Sequence, residues 1–348
     1  MDRTVDIVAI GHAIVDVVAP TDDALVASFG LTKGTMTLVD DERSERIYGA
    51  LGPATASSGG SAANTAAGLA SLGVRVAFAG KVGDDDLGRV FSDDIRAAGV
   101  DFSISAAEGG PGTGRCVIMV TPDAERTMCT SLGVSDRLDP EDLNAGQIAR
   151  AQVLYIEGYL CGLEATEATI EAALAAAAEG GTQVALSLSD PSWVSSHREA
   201  LAQVLGHADL VFANEAEALD MTGAADVEEA VVALAGRCPT VVVTRSAAGA
   251  VVGVAAKASA GASAGAPAGA AGDVAVFRVA AEHVGRVVDT TGAGDLFAAG
   301  YLHGHVRGYG PERSARLGAL SAAEVVSHFG ARPQVPLVAL AAGAGLLA

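Results

Sequence analysis

Basic residues are scarce in this 348-residue chain: Lys and Arg number 22 against 42 Asp and Glu, for a net charge of -20. Such a field repels polyanions, which argues against a nucleic-acid partner and otherwise serves solubility. The four cysteines (Cys116, Cys129, Cys161, Cys238) are scattered with no Cys-x-x-Cys pair. That leaves neither a disulfide frame nor a zinc site, and suits thiols kept reduced in the cytoplasm. The opening Met1-Asp2-Arg3-Thr4-Val5-Asp6 lacks a basic region and an apolar run, so no signal peptide is expected. Long apolar runs are missing too. Val335 to Leu347 falls short of the ~20 residues a membrane span needs, and reads as a last helix or strand on the core. Lys81 is followed by Val82, and Arg75 stands where a Walker-type loop needs its first glycine. Gly11-His12-Ala13 lacks the glycine series of a dinucleotide turn, which speaks against a dehydrogenase.

What is present is a rhythm. Short apolar runs at Val5 to Ile10, Val74 to Ala79, Val153 to Ile156, Val184 to Leu188, Leu210 to Phe212 and Val241 to Thr244 read as buried strands. Helical stretches lie between them, at Ala62 to Leu72, Leu87 to Ala98, Ala165 to Glu179 and Ala225 to Leu234. That alternation implies a mostly parallel sheet covered on both faces, with ligands beyond the carboxyl ends of its strands. Two stretches, 14–39 and 101–130, show strand alternation without helices and are expected to form a small antiparallel sheet acting as a lid. The Ala/Gly/Ser tract 256–272 reads as a flexible loop between two strands. There is no internal repeat, and one domain spanning 1–348 accounts for the length.

The richest stretch is Asp289-Thr290-Thr291-Gly292-Ala293-Gly294-Asp295, followed by apolar Leu296-Phe297-Ala298-Ala299. Glycines at a helix start leave bare amides at the positive end of the dipole, an anion cradle. A carboxylate beside such a cradle repels the anion unless it has another task. Asp295 fits a general base that takes a proton from an attacking hydroxyl while the 292–294 turn holds a migrating phosphoryl group. The pairing points to phosphoryl transfer onto a small molecule.

Other candidates have plainer readings beside them. Ser58-Gly59-Gly60-Ser61-Ala62-Ala63-Asn64 precedes an Ala-rich helix, and Asn64 offers a donor and an acceptor to sugar hydroxyls; a simple N-cap reads equally well. Asp16 suits two hydrogen bonds to vicinal hydroxyls, or an ordinary solvated acid. Asn214 and Glu217, three apart on an opening helix, suit the waters around a magnesium ion, while Glu215 and Glu217 also read as plain surface acids. Asp84-Asp85-Asp86 reads as acids serving a helix dipole. His303 and His305 fall on different helix faces, against a metal pair.

Taken in order, these motifs resemble the PfkB carbohydrate kinase family, also called the ribokinase family. Gly59 through Ala66 with Gly73 and Gly83 resemble its first signature, and Asp289 to Asp295 its second; Gly83 to Gly88 and the Asn-x-x-Glu of Asn214 and Glu217 match between them. The likeness runs from about Val5 to Pro333. It implies a ribokinase-like three-layer α/β sandwich with a small β-sheet lid, using ATP and Mg2+. It implies Asp295 as base, Gly292, Ala293 and Gly294 as anion hole, and Asp16, Gly59, Gly60 and Asn64 at the acceptor's hydroxyls. Asn214 and Glu217 would organise magnesium and phosphate, and Thr244 and Gly249 would flank the nucleotide. Asp289 and Thr291 resemble a monovalent-cation (K+) site of some members. Monomers and lid-to-lid homodimers both occur among such proteins.

The lid cations are Lys33, Arg115 and Arg126, too few near Asp16 for a sugar phosphate, so a neutral acceptor is expected. Segments around 33–38, 115–133 and 321–333 resemble bacterial adenosine or nucleoside kinases. The expected reaction is therefore transfer to the primary hydroxyl of a nucleoside, adenosine first, giving AMP. A free sugar (ribose, fructose or 2-keto-3-deoxygluconate) is the alternative, with a non-catalytic sensor behind it. Met36 and Leu38, with Phe102, Met119 and Met128, are candidates for an apolar slot for the base, or plain lid packing. Arg126 resembles a lid arginine that reaches the transferred phosphate in adenosine kinases.

Overall fold

The computed structural model describes residues 5–104, 106–123, 125–256 and 274–347. The tract expected to be a flexible loop lies, but for Ala256, outside the described residues.

Eight strands build the main sheet: β1 (Ile7–Ile10), β5 (Val76–Ala79), β8 (Val153–Glu157), β9 (Gln183–Ser187), β10 (Leu210–Asn214), β11 (Thr240–Thr244), β12 (Ala250–Ala255) and β13 (Val274–Val279). Their order is β13-β12-β11-β10-β9-β8-β1-β5; β5 through β11 run parallel, and β12 and β13 are antiparallel. Side chains alternate between the two faces, as pleating requires. Val8, Ile10, Leu154 and Ile156 pack with Ile170, Ala173, Leu201 and Leu205 of the helices Glu164–Gly180 and Pro191–Leu205. Ile7, Ala9, Val153 and Tyr155 pack the other way, with Ala62, Ala66 and Leu69 of the helix Ser61–Ser71 and Phe297, Ala298 and Leu302 of the helix Ala293–Val306. Two apolar faces on one sheet make the three layers.

Five more strands form a second sheet in the order β3-β7-β6-β2-β4: β2 (Ile14–Pro20), β3 (Met36–Leu38), β4 (Thr55–Gly59), β6 (Gly114–Val120) and β7 (Arg126–Ser131). It departs from the expected antiparallel lid in three ways. β2 pairs parallel to β6 and β3 parallel to β7, so the sheet is mixed. A helix, Asp23–Ser28, interrupts 14–39, because Asp22 caps it by accepting from Leu25 N at 2.8 Å. The described residues of 101–113 add no strand to it; Asp101 instead bridges to Ala77 beside the main sheet. The expected helix Ala225 to Leu234 begins at Val227, and a separate helix, Glu215–Thr222, precedes it. The apolar C-terminal run forms the helix Leu337–Gly343.

One packing detail positions the chemistry. The helices Ser61–Ser71 and Ala293–Val306 lie so close at Gly68 that a Cβ there would come within 2.6 Å of Leu296. The missing side chain at Gly68 permits the approach, with Ala299 also within 2.8 Å of that position.

Candidate active site

The carboxyl ends of β1, β8, β10 and β11 carry His12, Glu157, Asn214 and Thr244 to the edge of the sheet where parallel folds of this kind offer a ligand crevice. The helix Ala293–Val306 points its first turn there. Gly292 caps it in the left-handed region at φ 78°, where glycine alone is unstrained, and a Cβ would strike Ala331 at 2.7 Å. The Ala293 amide turns back to Thr290 O at 3.2 Å, and the first helical bond is Leu296 N to Gly292 O at 2.8 Å. A Cβ on Gly294 would meet nothing within 4 Å, so space opens over the helix tip for an anion.

Asp295, in that first turn, accepts from Ser61 Oγ at 2.6 Å and from Asn64 Nδ2 at 2.9 Å. Burial pushes its pKa up to about 6, opposed by those two bonds and by Arg332, and aided by the nearby Glu157. Asn64 Oδ1 is buried without a partner among the described residues, an acceptor left over for a ligand. The helix Ser61–Ser71 has no side-chain cap. Gly60, at φ 94°, occupies the cap position, and a Cβ there would hit His12 O at 2.3 Å. Gly59 lies against Asp16: a Cβ would come within 2.5 Å of its carboxylate. Asp16 itself sits on β2 rather than in a loop, with burial raising its pKa to about 6.

Asp289 gathers the second group. It accepts from Thr291 N (3.1 Å), Thr291 Oγ1 (2.7 Å) and Gly330 N (2.9 Å), and pairs with Arg126 Nη1 at 2.6 Å. Arg126 also donates to Thr291 Oγ1 at 2.9 Å and lies over the Phe329 ring. Burial works against ionisation of Asp289, yet these bonds and the guanidinium hold its carboxyl below the usual range. The charge that a monovalent cation would supply beside Asp289 comes from Arg126.

Asn214 and Glu217 form a reciprocal capping box: Asn214 Oδ1 accepts from Glu217 N at 2.9 Å, and Glu217 accepts from Asn214 N at 3.0 Å. Glu217 is nonetheless no surface acid, being 4% exposed. Burial raises its pKa to about 7, and Asp190 and Asp295 add to the shift. A buried carboxylate among other carboxylates fits a divalent cation, held through water by Glu217. Thr244 is the register partner of Asn214, while Gly249, at φ 85°, shapes the turn behind it against Val279 O.

Strand alternation sorts the apolar slot. Met36, Met128, Ile118 and Val18 form one register row across the second sheet, and Leu38, Thr130, Cys116 and Asp16 the next. The two rows therefore share the face that carries Asp16. Met119 and Phe102 leave the candidate slot. Met119 packs with Val26 and Ile47 behind the sheet, and Phe102 stacks with Phe78 and Phe91 in the core. Sequence reading assigned no task to Ser61, Glu157 or Arg332. Glu157 is the one with a readable signal: an acid closing the apolar strand Val153–Glu157 at its carboxyl end. Among the described residues neither ring nitrogen of His303 has a hydrogen-bond partner, His305 meets Gln183, and no cluster of three metal-ligating side chains occurs. No helix among them is long and apolar enough to cross a membrane.

Fold and crevice together define a kinase of small molecules that takes its phosphoryl group from ATP. The chain belongs to the pfkB family of carbohydrate kinases, whose model matches residues 6–337, and its sandwich is ribokinase-like. It is 41% identical to the adenosine kinase from Sinorhizobium meliloti, whose structure superposes with a TM-score of 0.85 over 98% of this chain and 99% of that one. A probable sugar kinase from Rhizobium etli is 38% identical, with a TM-score of 0.87 over 99% and 100%. The 5-dehydro-2-deoxygluconokinase of Shouchella clausii is 28% identical over 80% of this chain and 83% of its own.

Proposed function

We propose that the acceptor is a nucleoside, adenosine foremost, and that the product carries the phosphoryl group on its primary ribose hydroxyl. The observation that carries this reading is the apolar row Met36–Met128–Ile118–Val18, one step along the strands from the row that holds Asp16. A ribose held by Asp16 and Asn64 would lay its base along that row. A free sugar, the second reading, would leave Met36 and Leu38 as exposed as they now are, at 44% and 52%.

A neutral acceptor suits the cations. Lys33 is taken by Asp23 and Asp123 at 2.7 and 2.6 Å, Arg115 by Glu45, and Arg126 by Asp289. In this reading the second sheet is a lid over the acceptor, and 1–348 works as one kinase domain. Asp295 accepts the hydroxyl proton as the oxygen attacks, and the amides of Gly292 and Gly294 face the charge that develops on the phosphoryl oxygens, joined by that of Ala293 when it leaves Thr290 O. Magnesium, where Glu217 and Asn214 organise its waters, would neutralise phosphate charge. Thr244 and Gly249 flank the nucleotide, and Arg126 exchanges Asp289 for the transferred phosphate. The Asp289–Thr291 corner remains a place where K+ would act when Arg126 swings away.

The test is ADP release over adenosine, other nucleosides, ribose, fructose and 2-keto-3-deoxygluconate. Fastest turnover with adenosine supports the reading. Faster turnover with a sugar replaces it with the second, and tight binding without ADP release on any acceptor would make the protein a sensor.

A further inference from the structure

Arg332 is a buried cation that meets the second sheet at the end of β4 and from there reaches the middle of the site. Its Nε donates to Ser58 O at 3.2 Å, Nη2 to Ser58 Oγ at 2.8 Å, and Nη1 to Ala63 O. Those two carbonyls bracket the turn Gly59-Gly60-Ser61-Ala62. From within that bracket Ser61 binds Asp295, Gly59 lies against Asp16, and Asn64 follows at once. Asp94 holds the same Ser58 from the other side, through its amide at 2.8 Å and its hydroxyl at 2.5 Å.

The loop that carries Arg332 is itself tied down. Phe329 lies under the Arg126 guanidinium, the Gly330 amide binds Asp289, and Ala331 abuts Gly292. Its far end is held by Glu324, which accepts from Gln334 N and Val335 N. One short segment thus joins the acceptor turn to the phosphate turn.

Resting on the kinase reading above, we propose that Arg332 is a positioning residue for phosphoryl transfer. It clamps the acceptor turn so that Ser61 and Asn64 present Asp295 to the hydroxyl, and its charge joins their two hydrogen bonds in favouring the ionised carboxylate. The groups facing Asp295 are Ser61 and Asn64 on their helix, Glu157 and Tyr155 on β8, Tyr159 after it, Asp16 on β2, Glu217 on its helix, and Arg332. Arg332 is the cation in that set. Its own pKa is lowered to about 10 by burial, against the pull of Asp94, Asp16 and Asp295. A planar fork spans two carbonyls; an ammonium reaches one.

The test measures kcat and KM against pH for Arg332→Ala and Arg332→Lys on the full chain, with whichever of adenosine, ribose, fructose or 2-keto-3-deoxygluconate turns over fastest. Displacing the base should cost the alanine variant about 100-fold in kcat. Its KM for ATP should stay at the wild-type value, and the acidic limb of its profile should move to higher pH. The lysine variant should leave the limb in place and keep a depressed plateau. A folding defect alone would lower the plateau of the alanine variant without moving its limb, and that result overturns the charge role. Wild-type kcat in the lysine variant overturns the clamp, even where the alanine variant fails to fold. Asp295→Asn is assayed alongside. If it keeps wild-type turnover, the kinase reading itself fails, whatever Arg332 does.

Discussion

Asn64 and Asp295 lie 231 residues apart in the chain and share a hydrogen bond of 2.9 Å. The bond joins the first turns of two helices that approach closely because Gly68 carries no side chain against Leu296. One of those turns presents groups suited to an acceptor, the other amides suited to a phosphate. Asp295 stands between them, and in the proposed reaction this single carboxylate would touch both halves. Its amide partner spends only its nitrogen on that bond, and Asn64 Oδ1 remains available.

Arg126 is bound to Asp289 and Thr291. On arrival of the transferred group it should change partners, a gain realised late in the reaction. Arg126→Ala is therefore expected to lower kcat more than it raises the acceptor KM, by about 100-fold or more in kcat if the guanidinium meets the transition-state charge. Steady-state kinetics with varied acceptor checks this; an unchanged kcat removes Arg126 from the chemistry.

Glu217 carries a pKa raised to about 7, above its ordinary 4.5. A raised folded-state pKa contributes stability that is complete below about 4.5 and lost as pH climbs through about 7. Without a cation, Glu217→Gln should then melt higher than wild type at pH 8 and little differently at pH 4. Mg-ATP should reverse the order at pH 8, because wild type gains stabilisation that the glutamine variant does not. Thermal unfolding at the two pH values, with and without Mg-ATP, reads both effects. Equal stabilisation of the two proteins by Mg-ATP would detach Glu217 from the metal.

The row beside Asp16 makes its own prediction. Met128→Ala removes apolar contact worth roughly 1.5 kcal/mol to a base lying on it, about tenfold in KM. Adenosine KM should rise by that factor while ribose KM stays put. Equal effects on both acceptors would show the row to be lid packing.

Much of this was legible in the sequence because its signals are local. The strand and helix rhythm follows from apolar runs, and the Asp289 to Asp295 turn is one continuous stretch, so its glycines, amides and acid could be read together. β4 escaped because Thr55-Ala56-Ser57-Ser58-Gly59 has neither apolar alternation nor branched bulk, and is held by its pairing to β2. Arg332 escaped for another reason: its partners lie 274 and 269 residues away, and nothing near it in the chain announces them. Asn214 shows a third case. From the sequence it suited the waters of a magnesium ion and gave no sign of a cap; the structure displays the cap while burying Glu217 where a cation suits it. For Met119 the packing reading holds, and strand register, which sends neighbours to opposite faces, could not decide it before the pairing was known; Phe102 lies outside the strands and joins Phe78 and Phe91.

The most direct measurement is the pH dependence of kcat/KM for phosphoryl transfer by the wild-type enzyme and by Asp295→Asn, with ATP binding measured on both. Burial raises the Asp295 pKa to about 6, so the wild-type rate should fall as pH drops through that value and the base takes up a proton. Asp295→Asn should lose on the order of 1,000-fold in turnover while still binding ATP. A variant that turns over normally, or that keeps the same acidic limb, would contradict the assignment of Asp295 as the base.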